Sequence, residues 1–560
     1  MPSIQISWPL LKSPWQQGET IIPSASIWIL IGCCVALAIY RAILYKVWLN
    51  PVALPPSPPR HWFWGNKYFL NQPYRHVLLG TIYKQDLGDI ISAVTPTHTT
   101  VYVNTMELAT ELLEKQTAAT SGRPRDVMAN EILGWGTSPA FRRHDEQHKK
   151  MRRVMASALH PAAARSYASQ HLDTTLGFLR AVAASPESFM DETNTAVGSF
   201  IMRLAYGHVS KTGKDPLLTM VHESFRYLGI ATSTYFLVND FPILRYLPTW
   251  FPGAHFQKIG KIGHDMRIRY ANETFNMVFD QVCKGQVERP SYVSSLLESK
   301  GAEKVNEEDV YLIKWTAASL FTAGSTTTAS IVNSFFLMAA LYPEIAKKAQ
   351  TEIDSVVGRE RIPSLQDRSL LPYTDAMVQE VMRMCPPVPL GMCGSQPLNR
   401  SLMYSPITRP SKGLAHQATE DIVFHGYRIP KGATINPNIW AILRDPKHFS
   451  SPHIFNPNRF LGPKAEPDPR KYIFGFGRRV CPGSHVANNG SWILCAGILS
   501  VFDIQPSPQL EAKVASLGGR ESKRLFELTE PHGLFGDQLP FSCKITFRDP
   551  ASMSILENSA

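Results

Sequence analysis

The chain has 560 residues, 44% of them hydrophobic and 18% charged, with a formal net charge of +11. This balance excludes a disordered chain and a highly charged nucleic-acid tail, and it leaves ample apolar material for a large core. Eight cysteines without a C-x-x-C pair exclude a disulfide scaffold and point to a reducing compartment, while the positive excess suits an acidic partner or an anionic membrane face rather than nucleic acid.

From Thr20 to Tyr40 no residue is charged. As a helix at about 1.5 Å per residue, this stretch reaches about 31 Å, the thickness of a bilayer core. A cleaved signal peptide is the competing reading, but the short basic start and the A-x-A site are missing and the apolar run is long. Residues 21–40 are therefore expected to be a single-pass anchor behind a lumenal segment, 1–20. Arg41, Lys46 and Arg60 follow the span, which places the rest of the chain in the cytosol. Residues 41–60, with Leu54-Pro-Pro-Ser-Pro-Pro59, read as a stiff hinge.

Beyond the hinge the pattern has no repeat and no second linker, so 61–547 is expected to be one catalytic domain, with 548–560 as a tail. Ile90-Ile-Ser-Ala-Val94 and Thr99-Thr-Val-Tyr-Val103 are predicted strands, and helical periodicity dominates residues 105 to 385. Lys149, Lys150, Arg152 and Arg153 crowd a helix expected to begin near Asp145 to Glu146. Gly207 to Lys214 has one residue too many for a phosphate loop, and Asp215 stands where Ser or Thr should follow. Trp315 to Tyr342 is uncharged and longer than the first run, but ten of its 28 residues are Ser, Thr or Asn, which predicts a buried central helix rather than a second span.

The most informative stretch is Phe474-Gly-Phe-Gly477-Arg-Arg479-Val-Cys481-Pro482-Gly483. Pro482 suits a first helical turn, so Cys481 is expected at a helix N-terminus, where unpaired N–H groups favour a thiolate. Gly475, Gly477 and Gly483 leave the backbone bare for a flat, bulky ligand. A merely buried or reactive cysteine would not require F-x-x-G-x-R-x-C-x-G spacing.

On these residues the chain resembles the cytochrome P450 family, from about Pro51 to Phe547. The resemblance implies a mainly α fold with small β-sheets, preceded by the transmembrane helix, and heme b with Cys481 as its axial thiolate. Phe474, Arg479 and Gly483 would belong to the cofactor site. Glu380-Val-Met-Arg383 and Arg459 match a buried structural network that supports the pocket. Ala323-Gly324-Ser325-Thr326-Thr327-Thr328 resembles the oxygen-activation segment, with Thr326 where an acid is usual and Thr327 as the hydroxyl beside bound dioxygen. His148 replaces the usual tryptophan of W-x-x-x-R while Arg152 is kept. With His416 and Arg479, these residues would hold the propionates, His148 by donating from its ring.

Further implications are electrons from NADPH through a separate reductase docked on a basic face, with cytochrome b5 as a second donor. A monomeric, single-pass protein of the endoplasmic reticulum membrane is implied, acting on an apolar small molecule such as a terpenoid, polyketide or polycyclic aromatic. The apolar stretch Val238 to Phe256 would dip into lipid, and its wording is most similar to fungal members of the O-methylsterigmatocystin oxidoreductase type. The alternatives are a reductase-independent isomerase or dehydratase, hinted at by Thr326, and a haem-binding remnant of low activity. Met392 to Gly413 shows neither strand nor helix periodicity, and Leu390-Gly391 would continue directly into Leu414-Ala-His416. Residues 392–413 are therefore expected to be an insertion, a genuine loop or a retained intron.

Overall fold

The computed structural model describes residues 52–558 except 63, 71, 73, 96, 210–214, 234–235, 391–413 and 530–539, together with 31, 32, 34, 35 and 38. The expected insertion and most of the expected anchor lie outside the described residues. The chain divides into a unit of residues 1–54 with 425–428 and a unit of residues 55–424 with 429–560. In the smaller one, Ile31 and Val35 are exposed and the Arg428 N–H donates to the Ala53 carbonyl at 2.9 Å. Among the described residues no single helix is long and apolar enough to cross a membrane.

The larger unit is mainly helical, and ten helices build its frame. In chain order they are α1 (Glu146–Leu159), α2 (Ala168–Ala184), α3 (Phe189–Tyr206), α4 (Pro216–Ser233), α5 (His255–Cys283), α6 (Tyr292–Lys300), α7 (Glu307–Leu341), α8 (Pro343–Val356), α9 (Pro372–Met384) and α10 (Ser484–Val501). The α7 helix runs through both major cores. Its first half packs with α1, α3, α5 and α6 through Ile313, Trp315 and Phe321, and its second half packs with α2, α8, α9 and α10 through Phe335, Phe336 and Met338.

The start of α7 follows from local chemistry. The Asn306 side chain accepts the Asp309 N–H at 2.9 Å, and Glu307, Glu308 and Asp309 place negative charge against the positive end of the helix dipole. Pro343 stops it and opens α8, with a 108° bend between the two. Several of its hydroxyls are buried at little cost because they bond back to the preceding turn: Thr316 to Leu312 at 2.6 Å, Ser319 to Trp315 at 2.7 Å and Thr322 to Ala318 at 2.9 Å. That is why a polar-rich sequence serves as a core helix.

A four-stranded sheet lies beside the helices. Strand β1 (Ile90–Thr95) pairs antiparallel with β2 (His98–Val103); β2 pairs parallel with β4 (Thr434–Pro437), which takes β3 (His416–Gln417) antiparallel on its other side. The two predicted strands are these first two, each one residue longer than expected. His416 faces Ile435 in this register, and Gln417 bridges to Ser121 and Gly122, which ties the strand to the loop before α1. A second ladder joins β5 (Phe502–Pro506) to β6 (Cys543–Phe547).

Two expected boundaries move. The proline segment does not stand off as a hinge along its whole length: Ser92 of β1 donates its N–H to Pro56 at 2.7 Å and its hydroxyl to Pro55 at 2.6 Å, so the body begins at Pro55. The tail is not free either, because a helix over Pro550–Asn558 buries Ile555 and Leu556 in the α2–α10 core, and Arg548 pairs with Asp354. Their apolar side chains had too few neighbours in sequence to show a period.

Candidate active site

Cys481 lies on the loop between a single helical turn, Gly477–Arg479, and α10. Its N–H donates to the Phe474 carbonyl at 2.8 Å, which closes the loop back on itself. The helix begins later than Pro482 implied. Gly483 caps it and its carbonyl accepts the first helical bond from Ala487, while the Gly483 N–H turns to the Cys481 sulfur. Burial pushes the Cys481 thiol above its ordinary value, and that N–H and the Arg152 cation pull it back only in part. The helix start alone therefore does not make the thiolate; a metal cation at the sulfur would.

Across a cavity from Cys481 stands α7. Ala323, Gly324, Thr327 and Thr328 line that wall, and Phe474, Gly475, Phe476 and Gly483 line the cysteine side. Thr327 Oγ1 donates to the Ala323 carbonyl at 2.9 Å, leaving its lone pairs toward an incoming donor. Thr326 does not line the cavity, and its Oγ1 is buried with no hydrogen-bond partner. Gly324 lets α3 approach, since a Cβ there would come within 2.9 Å of Ile201. Gly477 also does something other than expected. Its φ of +54° and the Leu113 carbonyl that a Cβ would strike make it a packing glycine, away from the cavity.

Basic side chains gather at one edge of the same cavity, which His148, Arg152, His416, Arg479 and also Arg123 line. The α1 helix presents two of them, because Asp145 caps it by accepting the His148 N–H at 2.8 Å and sets its phase. Arg479 donates to the Ser121 carbonyl at 2.8 Å, to Arg142 at 2.9 Å and to His148 Nε2 at 2.9 Å. A guanidinium only donates, so His148 accepts there, and its Nδ1 faces Nδ1 of His144 at 3.2 Å. In this structure the His148 ring meets Arg479 and His144, so it is placed to position Arg479 beside the expected propionate.

Arg152 donates to Val480 at 2.8 Å, and Arg123 to Ala140 and Ala415, both at 2.8 Å. His416 Nδ1 lies 3.0 Å from the Thr120 carbonyl. Burial, then the neighbouring guanidinium cations, lower His148 and His416 to about 3, and Arg479 falls to about 10, chiefly by burial.

None of Arg123, Arg152 and Arg479 forms an ion pair with a carboxylate among the described residues. Arg123 and Arg479 are buried, Arg152 half-buried, and their bonds run only to carbonyls and to the neutral His148 ring, which calls for an anion from outside the chain. A sulfur on one face, bare backbone at Gly475 and Gly483, apolar walls and a cationic edge fit an iron porphyrin with two carboxylates. Bound there, such a group supplies one-electron and O₂ chemistry at its metal.

Outside the cavity, Arg383 clasps Glu380 with Nε at 2.7 Å and a terminal nitrogen at 2.8 Å, and Arg459 Nε reaches the same carboxylate at 3.1 Å. All three are buried, and further bonds to the Leu443, Pro452 and Ser450 carbonyls complete them. The network joins α9 to the segment that leads to the cysteine loop. On the outer face, Lys149 pairs with Glu146 and Lys150 with Glu308, while Arg153 and Arg478 are exposed.

The Val238 to Phe256 stretch forms short turns that bury Val238, Ala254 and Phe256 while exposing Phe241, Ile243, Tyr246, Trp250 and Phe251. The loop from Arg123 to Arg143 is expected from the sequence to build the pocket without any residue's role being readable, and Arg123 and Trp135 of it line the cavity, as does His171, which sequence reasoning passed over. A single Arg between Gly122 and Pro124 carries no spacing signal, and neither does one aromatic in a loop.

The family model described as Cytochrome P450 matches residues 55–393 and 406–518. Cytochrome P450 monooxygenase 208 of Postia placenta is 33% identical over 523 residues, 92% of this chain and 94% of that protein. Cytochrome P450 monooxygenase claR of Ampulloclitocybe clavipes is 33% identical over 510 residues, 90% of this chain and 88% of that protein. The O-methylsterigmatocystin oxidoreductase of Aspergillus flavus is 33% identical over 491 residues, 86% of this chain and 88% of that protein.

Proposed function

The chain belongs to the cytochrome P450 family of monooxygenases, and from that premise we propose that it inserts one atom of O₂ into an apolar small molecule of secondary metabolism. The observation that carries this reading is the single cavity that holds Cys481 on one side, Thr327 on the other and an uncompensated cationic edge between them. Cys481 would hold the haem iron, and Arg123, Arg152 and Arg479 would hold the carboxylates. The Thr327 hydroxyl, already polarised by its bond to Ala323, holds a proton or a water at the reacting face. The apolar walls exclude bulk water from it.

Electrons come from NADPH through a separate reductase at the basic outer face near Arg153 and Arg478. The exposed apolar side chains between Phe241 and Phe251 support attachment to the endoplasmic reticulum membrane, as does the uncharged run before residue 41.

The test is a carbon monoxide difference spectrum of reduced membranes, paired with NADPH-dependent turnover. Wild type should give the thiolate band and Cys481→Ala should lose it, because no other described cysteine lines the cavity. An unchanged band in the variant overturns the ligand assignment. Thr326 in the acid's place favours the second reading, a peroxide isomerase or dehydratase. That reading predicts turnover without NADPH.

A further inference from the structure

The two major cores do not close fully on each other. Val197, Ile331 and Leu494 belong to one of them and Phe200, Ile201 and Leu204 to the other, yet all six line the cavity. A protein interior ordinarily fills such a seam at the density of an organic crystal. Here part of it stays open: Val197, Phe200, Ile331 and Leu494 keep 3–5% exposure in the middle of three core helices, whereas Val332, Phe335 and Ile498 on two of the same helices have none.

The open seam is an arm of the cavity that holds Cys481. On α7 it runs from Thr327 to Ile331, one turn on along the same face. On α10 the lining residues Val486, Gly490 and Leu494 stand four apart, a stripe that ends about 15 Å along the helix from its first residue, Ser484. His171 and Thr175 of α2 close the far side. Glycine sets how near that helix comes: a Cβ on Gly490 would lie 3.1 Å from the His171 ring, and one on Gly497 would lie 2.7 Å from the Thr175 methyl. Leu494 stands between these two contacts, so α2 caps the arm there.

The chemistry of the arm suits an apolar guest. No Asp, Glu, Lys or Arg of α2, α3, α7 or α10 lines the cavity. Thr175 Oγ1 donates to the His171 carbonyl at 2.8 Å, and the His171 ring lies flat on Phe200 and is kept uncharged by burial. Water is held in a protein by polar partners, and an apolar space without them stays dry and takes small apolar bodies such as xenon. The slight exposure of its walls shows that the arm is slim, with room for a body of about the size of a water molecule and none for a ring.

We propose that this arm is an antechamber for dioxygen, an apolar pocket between α2, α3, α7 and α10 that holds O₂ one helical turn from Thr327. The proposal rests on the monooxygenase reading of the cavity and gives the second substrate of that reaction a place of its own, apart from the organic one. A diatomic gas gains from leaving water for such a space and needs no hydrogen bond there.

The test uses the full-length haem-loaded protein in detergent micelles, reduced and bound to carbon monoxide, with its Ile, Leu and Val methyl groups isotope-labelled. Xenon is the probe of the arm and carbon monoxide that of the diatomic ligand. Under xenon pressure the methyl resonances of Val197, Ile331 and Leu494 should shift and saturate while those of Ile498 stay fixed. In the same samples xenon should slow bimolecular rebinding of carbon monoxide after flash photolysis by about threefold. Ile331→Phe fills the arm, so it should show the slow rebinding without xenon and no further response to it. Unmoved methyl groups at the three positions, or shifts without any change in rebinding, overturn the proposal, the second result leaving only a packing void. Both are read on the wild type, so the decision stands even if the variant does not fold. Loss of the monooxygenase reading looks different: it is an absent thiolate band in the reduced carbon monoxide spectrum, and the methyl shifts still report whether the arm takes xenon.

Discussion

His171 shows how much a single buried side chain can say. Its imidazole stacks on Phe200 at 4.1 Å between centroids and 16°, its Nε2 has no partner, and burial draws its pKa down to about 3. The folded state therefore keeps it neutral, while the unfolded chain takes up a proton below about pH 6.5. Its share of stability is complete above that pH and is lost as pH falls toward the folded value, at about 1.4 kcal/mol per pH unit. We expect the acid limb of a denaturant-derived stability profile between pH 6.5 and 4 to flatten by that slope in His171→Asn; an unchanged slope would show that His171 is protonated in the fold.

The adjacent threonines 326 and 327 make a second comparison. Thr326 has a buried, unpartnered hydroxyl off the cavity, so Thr326→Val should leave haem content and coupling intact and change stability by no more than about 1 kcal/mol. Thr327→Val removes a cavity hydroxyl and should raise peroxide release per NADPH severalfold, read by peroxide assay against product. Equal behaviour of the two variants would place the proton route elsewhere. The importance of Cys481 and Thr327 was legible because their neighbours keep a fixed spacing. The role of His148 was not, since its orientation depends on Arg479, 331 residues away.

Between elements, the Glu380 carboxylate is the joint. It accepts from Arg383 on its own helix, from Arg459, and from the Asn456 N–H at 2.9 Å, and the carboxylate itself has no access to water. Glu380→Gln leaves the buried Arg383 guanidinium without its counter-charge, while Arg459 keeps Glu466 at 2.6 Å, a loss of about 3–5 kcal/mol. We expect a much lower thermal midpoint and a falling haem-to-protein ratio, because the segment from Asn456 onward leads to the cysteine loop; an unchanged midpoint would make the network ornamental.

A second junction lies either side of residues 391–413. Leu390 is buried beside Phe69 and Tyr102, Pro389 accepts the Trp440 N–H at 2.9 Å, and Leu414 and Ala415 both accept from Arg123. The family model also stops at 393 and resumes at 406. Both flanks are thus anchored by described residues, so deletion of 392–413 should preserve or raise haem incorporation, measured as haem per polypeptide. The strands and the long helices were readable because their apolar period is local. Trp135 and Arg123 were not, because a loop residue has no period and its partners come from distant helices.

For the molecule as a whole, the proposed membrane attachment rests on two features, the exposed apolar surface and the uncharged amino-terminal run. Deleting residues 2–40 should weaken membrane binding without abolishing it, since Ile243, Tyr246 and Trp250 remain 68–79% exposed. Flotation with phospholipid vesicles at low salt measures this, and full recovery in the soluble fraction would mean that the surface has no hold on lipid. The buried edge formed by Arg123, Arg152 and Arg479 has a consequence for biogenesis. Two enclosed like charges, Arg123 and Arg479, with half-buried Arg152 beside them and no counter-charge, would oppose closure of the newly made chain until a dianion arrives, so acquisition of the prosthetic group would become the checkpoint of maturation. Cells short of iron would then lose this protein to proteolysis before the activity of each surviving molecule declined.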